Sequence, residues 1–191
     1  MPDAGRVIAG TARSIRLQGV GPETRALADR VKQTAFAILG PDLRASRFLD
    51  LFAGSGAAGI EALSRGAAAA TFVDRDARAV RVIAANLERT GLGSPGRATI
   101  VRADVGAWLT EPARDAEPPF DLAFIDPPYA DDRLLVSTLE SVGRLLDPGA
   151  RVVAKHFWRS APPARIGLLA SERERRFGET TLTFYRRTEV A

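Results

Sequence analysis

Four acidic residues and one glycine-rich turn stand where a small polar ligand could be held. The segment Asp50-Leu-Phe-Ala-Gly54-Ser-Gly56 joins an apolar run to an Ala/Leu-rich stretch. Asp74 closes a second apolar run, Asp104 follows a third, and Asp126-Pro127-Pro128-Tyr129 ends a fourth. An ionised carboxylate only accepts hydrogen bonds, so such a set suits ammonium, amino and hydroxyl groups. Glycine lets the backbone approach a ligand closely. One Asp in such a place is ordinarily a helix cap or a turn former. Four successive runs, each ending in a Gly turn or an acid, point to a ligand cleft.

The elements that must position these residues alternate. Strands are expected at Phe48–Phe52, Ala70–Val73, Thr99–Arg102, Phe120–Ile125 and Arg151–Phe157. Helices are expected at Ala28–Leu39, where Val31, Ala35, Ile38 and Leu39 recur at helical spacing, and at Ala57–Arg65. A third runs from an Asp76 cap to about Arg89. A fourth, over residues 132–146, is closed by Asp147-Pro148-Gly149. Arg6–Leu17 reads as a hairpin, and so do Arg173–Phe177 and Thr180–Arg186 around Gly178-Glu179. Strand, Gly-rich turn and helix in repetition mark a parallel α/β sheet, which binds ligands beyond the carboxyl ends of its strands.

Gly54-Ser55-Gly56-Ala57-Ala58-Gly59 fits G-x-G-x-x-G, and Asp74 lies about 20 residues beyond Gly54. A dinucleotide site has that spacing, with the acid on a ribose. Three features oppose a nicotinamide cofactor. Asp50 would stand close to a pyrophosphate. The single histidine, His156, falls on a distant strand. A hydride-transfer enzyme has no use for Asp-Pro-Pro-Tyr. His156 is expected to be structural, and Trp108 and Trp158 to pack, with Trp158 near enough to a strand end to flank a base.

The chain has 191 residues, 46% of them apolar and 26% charged, as suits a globular domain with a substantial core. Without cysteine there is no disulfide framework and no thiol nucleophile, and one histidine excludes a His-rich metal site. No apolar run approaches the roughly 20 residues of a membrane helix, and the N-terminus lacks the pattern of a signal peptide. A cytoplasmic protein without a membrane partner is expected. Residues 1–48 hold eight basic and four acidic residues, so the whole net charge of +4 lies there. A localised basic surface suits a polyanion such as nucleic acid. Arg6, Arg13, Arg16, Arg25 and Arg30 are the candidate phosphate contacts.

Asp50-Leu-Phe-Ala-Gly54-Ser-Gly56 followed by Asp126-Pro-Pro-Tyr129 resembles the S-adenosylmethionine-dependent methyltransferases of class I. More closely, the chain is similar to the bacterial enzymes that methylate guanine N2 in small-subunit (16S) ribosomal RNA. Arg6-Val-Ile-Ala-Gly10, Thr24-Arg25, Asp29-Arg30-Val31-Lys32, Glu61-Ala-Leu-Ser-Arg65-Gly66, Asn86-Leu87, Phe177-Gly-Glu-Thr180 and Phe184-Tyr185-Arg186 extend the likeness over most of the chain. It departs at Arg25-Ala26-Leu27, at Gln33, and at Lys155-His156, where many members carry a Glu.

The resemblance implies a Rossmann-like, doubly wound α/β fold. Its mostly parallel seven-stranded sheet would end in an antiparallel hairpin. Residues 1–45 would form a basic, RNA-contacting extension of hairpin plus helix, and residues 46–191 the catalytic domain. The cofactor would be S-adenosyl-L-methionine, leaving S-adenosyl-L-homocysteine, with no metal. Asp50, Ala53, Gly54, Ser55, Gly56, Asp74, Arg75, Asp104 and Val105 would hold it. Asp50 would take the methionyl ammonium, Asp74 the ribose hydroxyls, and Asp104 and Val105 the adenine. Asp126, Pro127, Pro128 and Tyr129 would be catalytic, with Asp126 and the Pro127 carbonyl accepting from the amino group and Tyr129 stacking on the base. Guanine offers adjacent N1–H and N2–H donors, which an acceptor-only carboxylate matches. The partner would be ribosomal RNA or the assembling small subunit, and the protein a monomer. The rivals are a DNA or other RNA methyltransferase acting on adenine N6 or cytosine N4, an NAD-dependent oxidoreductase, and a non-catalytic RNA-binding protein on the same scaffold.

Overall fold

Apolar runs alternating with helical stretches can bury both faces of a sheet only if the strands lie side by side in parallel. The computed structural model describes residues 3–21, 27–40, 43–116, 118–128 and 132–188. In chain order the elements are β1 (Asp3–Arg6), β2 (Arg16–Gln18), α1 (Asp29–Leu39), β3 (Arg47–Leu51), α2 (Ala57–Ser64), β4 (Ala69–Asp74), α3 (Ala77–Thr90), β5 (Ala98–Arg102) and α4 (Val105–Thr110). They continue with β6 (Phe120–Ile125), α5 (Asp132–Val142), β7 (Leu146–Phe157), β8 (Arg165–Ile166), β9 (Leu169–Phe177) and β10 (Thr180–Arg187).

β1 and β2 pair antiparallel as a small separate hairpin. The main sheet has the order β5-β4-β3-β6-β7-β10-β9-β8. β3 to β7 are mutually parallel, and β8 to β10 join antiparallel. Strand order reverses between β3 and β6, and the crevice at such a switch point is where ligands bind. α1, α2 and α3 cover one face through Phe36, Ile60, Leu63 and Ile83. α4 and α5 cover the other through Trp108, Leu109, Leu135 and Leu139.

Three elements differ from expectation. The sheet has eight strands, because the two-residue β8 adds an edge that is too short to leave a sequence pattern. The helix expected over 132–146 stops at Val142, and a single 3-10 turn leads into β7 at Leu146. Asp147-Pro148-Gly149 therefore lies within β7. The β6–β7 register jumps there, from Phe120↔Leu146 to Leu122↔Arg151. A proline without an N–H and a glycine at φ +78° fit such an irregularity. α4, absent from the sequence reading, is six residues long and is capped by Asp104, whose Oδ1 accepts from Ala107 N at 3.1 Å.

The first 45 residues share a core with the sheet. Ala4, Val7, Leu17 and Val31 join Phe48, Ile60 and Phe124 in one apolar cluster. The docking is also polar, through groups buried to the last few per cent. Glu61 on α2 accepts from Ile8 N (2.7 Å), Ala9 N (3.1 Å) and Arg65 Nε (2.7 Å). Lys32 on α1 donates to the Arg6 carbonyl at 2.7 Å. Burial lowers the pKa of Lys32, and the nearby Glu61 and Asp29 charges oppose that shift. Asn86 on α3 exchanges two hydrogen bonds with the Gln18 backbone and donates a third to the Ser55 carbonyl at 2.9 Å. One side chain thus ties the N-terminal hairpin to the glycine-rich turn.

Glu61 is fully buried with two backbone donors and one guanidinium on it. Removing one partner of a buried ionic cluster leaves the others unpaired, at a cost of about 3 to 5 kcal/mol. Glu61→Ala is expected to lose stability of that order in urea unfolding, with faster amide exchange at Ile8 and Ala9. A loss under about 1 kcal/mol would contradict this role for Glu61.

Candidate functional site

β3 delivers Asp50 and then a turn that its residues are suited to make. Phe52 has φ +59°, Gly54 φ +54° and Gly56 φ +75°. A left-handed Phe is uncommon and costs about 1–3 kcal/mol, a kind of strain that collects at functional sites. A Cβ on Gly54 would meet nothing closer than the Phe52 carbonyl at 3.9 Å, so it would project into open space. Gly59 is needed for a different reason. A Cβ there would lie 2.3 Å from the Phe72 ring, so glycine lets α2 pack closely on β4.

The strand-end carboxylates hold this turn. Asp50 Oδ2 accepts from Gly59 N at 2.8 Å. Asp74 Oδ2 accepts from Gly54 N at 2.8 Å, and its Oδ1 accepts from Asp76 N at 2.9 Å. Each Asp74 oxygen thus keeps one lone pair for a further donor. Asp126 N–H donates to the Leu51 carbonyl at 3.3 Å, locking the end of β6 to the end of β3. Both Asp126 oxygens accept from Lys155 Nζ, at 2.6 and 2.8 Å.

These groups converge on one cleft of about 510 Å³ at the switch point. Asp50, Ala53, Gly54, Ser55, Asp74, Arg75, Asp104, Val105, Asp126, Pro127 and Pro128 all line it. Gly56 does not; its left-handed conformation starts α2, and a Cβ would press on Ile83 and Phe72 at 3.2–3.3 Å. Tyr129 lies outside the described residues. The sequence reading missed Phe52, Phe124, Leu134 and Lys155, which line the cleft too. It also missed Ala4, Gly19, Val20 and Leu27, through which the N-terminal segment forms one wall. Lys155 had left a signal, as one of two lysines in a chain with 25 arginines, at a predicted strand end.

The electrostatics are those of carboxylates taken out of water. Burial pushes the Asp50 carboxyl well above its ordinary range, the Gly59 N–H opposes that, and the Asp126 and Asp74 charges add to it. Burial also raises Asp126, and the Lys155 charge and hydrogen bonds pull it back. Such a set favours a ligand with a cationic amine, hydroxyls and an amino group. A pyrophosphate would meet Asp50 and Asp74.

His156 is buried away from the cleft, its Nε2 2.8 Å from Thr183 Oγ1 and its Nδ1 2.9 Å from its neighbour's carbonyl, a structural position. Trp108 packs in the core beneath the Arg114 guanidinium. Of the candidate phosphate contacts, Arg6 pairs with Asp29, Arg16 pairs with Asp3, and Arg30 lies over the Phe177 ring. Arg13 is exposed, and Arg25 lies outside the described residues. Among the described residues no helix is long and apolar enough to cross a membrane.

Comparison with known proteins places the chain among relatives that it matches almost end to end. The family model described as Conserved hypothetical protein 95 matches residues 5–186. The Bacillus subtilis protein named "Putative rRNA methyltransferase YlbH" is 36% identical over 184 residues, covering 95% of this chain and 98% of that one. Ribosomal RNA small subunit methyltransferase D of Escherichia coli K12 is 32% identical over 187 residues, covering 95% and 89%. A solved hypothetical protein of Thermus thermophilus superposes with a TM-score of 0.80 at 35% identity, covering 97% and 99%.

Lys155 is the cation that offsets the burial of Asp126. In Lys155→Met the Asp126 carboxyl is expected to titrate at higher pH than in the wild type. Carbon-13 NMR of the labelled carboxyl measures this. An unchanged or lower titration midpoint would contradict the pairing.

Proposed function

The chain belongs to the family described as Conserved hypothetical protein 95, and from that premise and the cleft we propose an S-adenosylmethionine-dependent methyltransferase acting on the N2 amino group of a guanine in small-subunit ribosomal RNA. The cleft fits the cofactor by its set of hydrogen-bond acceptors and by its glycine. Asp50 would receive the methionyl ammonium. The backbone at Gly54 and Ser55 would lie along the amino-acid part. Asp74 would use its remaining lone pairs on the ribose hydroxyls, Asp104 would accept from the adenine amino group, and Val105 would offer it an apolar surface. When bound, S-adenosylmethionine supplies a methyl group on a sulfonium, open to displacement by a nucleophile.

The chain's own residues must make a poor nucleophile adequate. The lone pair of an exocyclic amine is conjugated into its ring. Acceptors on its N–H bonds localise that pair and fix its direction, and such positioning supplies much of the rate. Asp126 and Pro127 border the cleft, where the carboxylate and the Pro127 carbonyl would serve, on a turn that two successive prolines stiffen. Tyr129 would stack on the base. The target base must be unpaired or drawn out of a helix to enter.

The observation that carries the guanine assignment is the Asp126–Lys155 pair. Lys155 favours the ionised, acceptor-only form of Asp126 inside a cleft that otherwise disfavours it. Guanine presents two adjacent donors to that acceptor, whereas adenine N6 and cytosine N4 each adjoin a ring acceptor. The relatives named as ribosomal RNA methyltransferases support the RNA substrate. The basic N-terminal segment and a monomeric enzyme complete the proposal.

Two outcomes are expected. Tritium from labelled cofactor should pass to unmethylated small-subunit RNA or assembled subunits but not to duplex DNA. Asp126→Asn should lower transfer to guanine-bearing RNA about a hundredfold, the scale of a lost alignment, and unchanged activity on guanine would sink the assignment. The second outcome concerns pH. Asp50 has a raised pKa, so in the free protein its ionised fraction falls at a higher pH than for an ordinary carboxylate. A bound ammonium favours the ionised form. Calorimetry with S-adenosylhomocysteine should therefore show proton release at a pH above the ordinary carboxylate range and affinity falling as pH is lowered, both lost in Asp50→Asn. Wild-type binding that does not change with pH would contradict this role for Asp50.

A further inference from the structure

Several exposed arginines in this chain are neutralised by a carboxylate: Arg6 by Asp29, Arg16 by Asp3 and Arg186 by Glu172. Arg159 and Arg176 are not. Neither has an acidic partner among the described residues. Both instead lie over the ring of Trp158, with guanidinium carbons 4.7 and 4.0 Å from its centroid. Arg176 is steadied further by donating from Nε to the Gly178 carbonyl at 2.8 Å. Trp158 is itself fixed, since its backbone N–H donates to the Glu179 carbonyl at 3.0 Å and its ring leans on Phe157 at 6.2 Å.

The position of this group gives it a use. Trp158 directly follows β7, three residues after Lys155, whose ammonium holds Asp126 in the cleft. At the rise of an extended chain the Trp158 backbone lies about 10 Å along the chain from that of Lys155, at the carboxyl edge of the sheet on which the cleft opens, with its ring against Arg176 at the end of β9. Two unneutralised guanidiniums held over an indole at the sheet edge that carries the cleft are poorly explained as packing, because each retains charge and unused N–H donors. A guanidinium ordered in advance loses less freedom on pairing with a phosphate, and its plane can also stack on a base.

We propose that Arg159, Trp158 and Arg176 form an RNA clamp at the mouth of the cleft. The two arginines bind the phosphates, or stack on the bases, of nucleotides flanking the one that enters, and Trp158 is the positioning residue that orders them. The inference rests on the RNA reading above and adds C-terminal arginines to the basic N-terminal segment, whose Arg30 lies over the ring of Phe177, the neighbour of Arg176.

The test is steady-state tritium transfer with small-subunit RNA as the varied substrate. Arg159→Ala/Arg176→Ala is expected to raise the KM for RNA about tenfold or more while kcat stays within twofold. Its S-adenosylhomocysteine affinity should match the wild type. The slope of RNA affinity against salt should fall by about one for each phosphate contact removed. Trp158→Phe should keep KM within about threefold, because a phenyl ring still orders the arginines. Arg81→Ala, an exposed arginine on α3, should leave KM unchanged. The double arginine variant carries the test even if the Trp158→Phe protein does not fold. A wild-type KM and salt slope in that variant would overturn the clamp and leave RNA methylation standing. No transfer to RNA by the wild type would overturn both.

Discussion

Carboxylates brought out of water at the ends of parallel strands are the constraint on which the rest of this structure depends. Asp50 is 2% exposed and stands near Asp74 and Asp126. Isolated charges in such a place would be strongly disfavoured. Each is compensated locally: Asp50 by the Gly59 N–H, Asp74 by two backbone N–H groups and Asp126 by Lys155, while the exposed Asp104 caps α4. These bonds also shape the site, since the donors belong to the turns and helix starts that form its walls. A ligand with complementary ammonium, hydroxyl and amino groups would satisfy the acceptor capacity that remains.

The same logic governs the N-terminal segment. Its two short strands pair only with each other, and Glu61, Lys32 and Asn86 meet further backbone N–H and carbonyl groups of the segment from three different helices. A buried backbone polar group needs a partner, so fully buried polar side chains here are a requirement of docking. In turn, the docked segment supplies Ala4, Gly19, Val20 and Leu27 to the cleft. The stretch that carries the chain's excess charge is thereby part of the pocket wall.

Much of the fold was legible because its signals are local. The parallel strands are short apolar runs, Asp76 caps its helix by accepting from Arg78 N at 2.7 Å, and Gly178-Glu179 sits between β9 and β10. What escaped was either too short or non-local. α4 has six residues and β8 two, below the length at which periodicity can show. Asp147-Pro148-Gly149 carries the composition of a helix stop and lies inside a strand, where the register shift accommodates it. In the site, the acids were visible as strand endings. The partnership of Asp126 with Lys155 was not, because it needs β6 and β7 to be neighbours in the register Ile125↔Ala154. The buried Glu61, Lys32 and Asn86 look like ordinary helix-surface residues until the N-terminal segment is laid over them.

The most direct test is nucleoside mass spectrometry of small-subunit ribosomal RNA from cells with and without the protein, with the modified position mapped. Loss of N2-methylguanosine at one position, restored by the wild-type chain, is the expected result. An unchanged N2-methylguanosine content, or loss of a methylated adenine or cytosine in its place, would contradict the account.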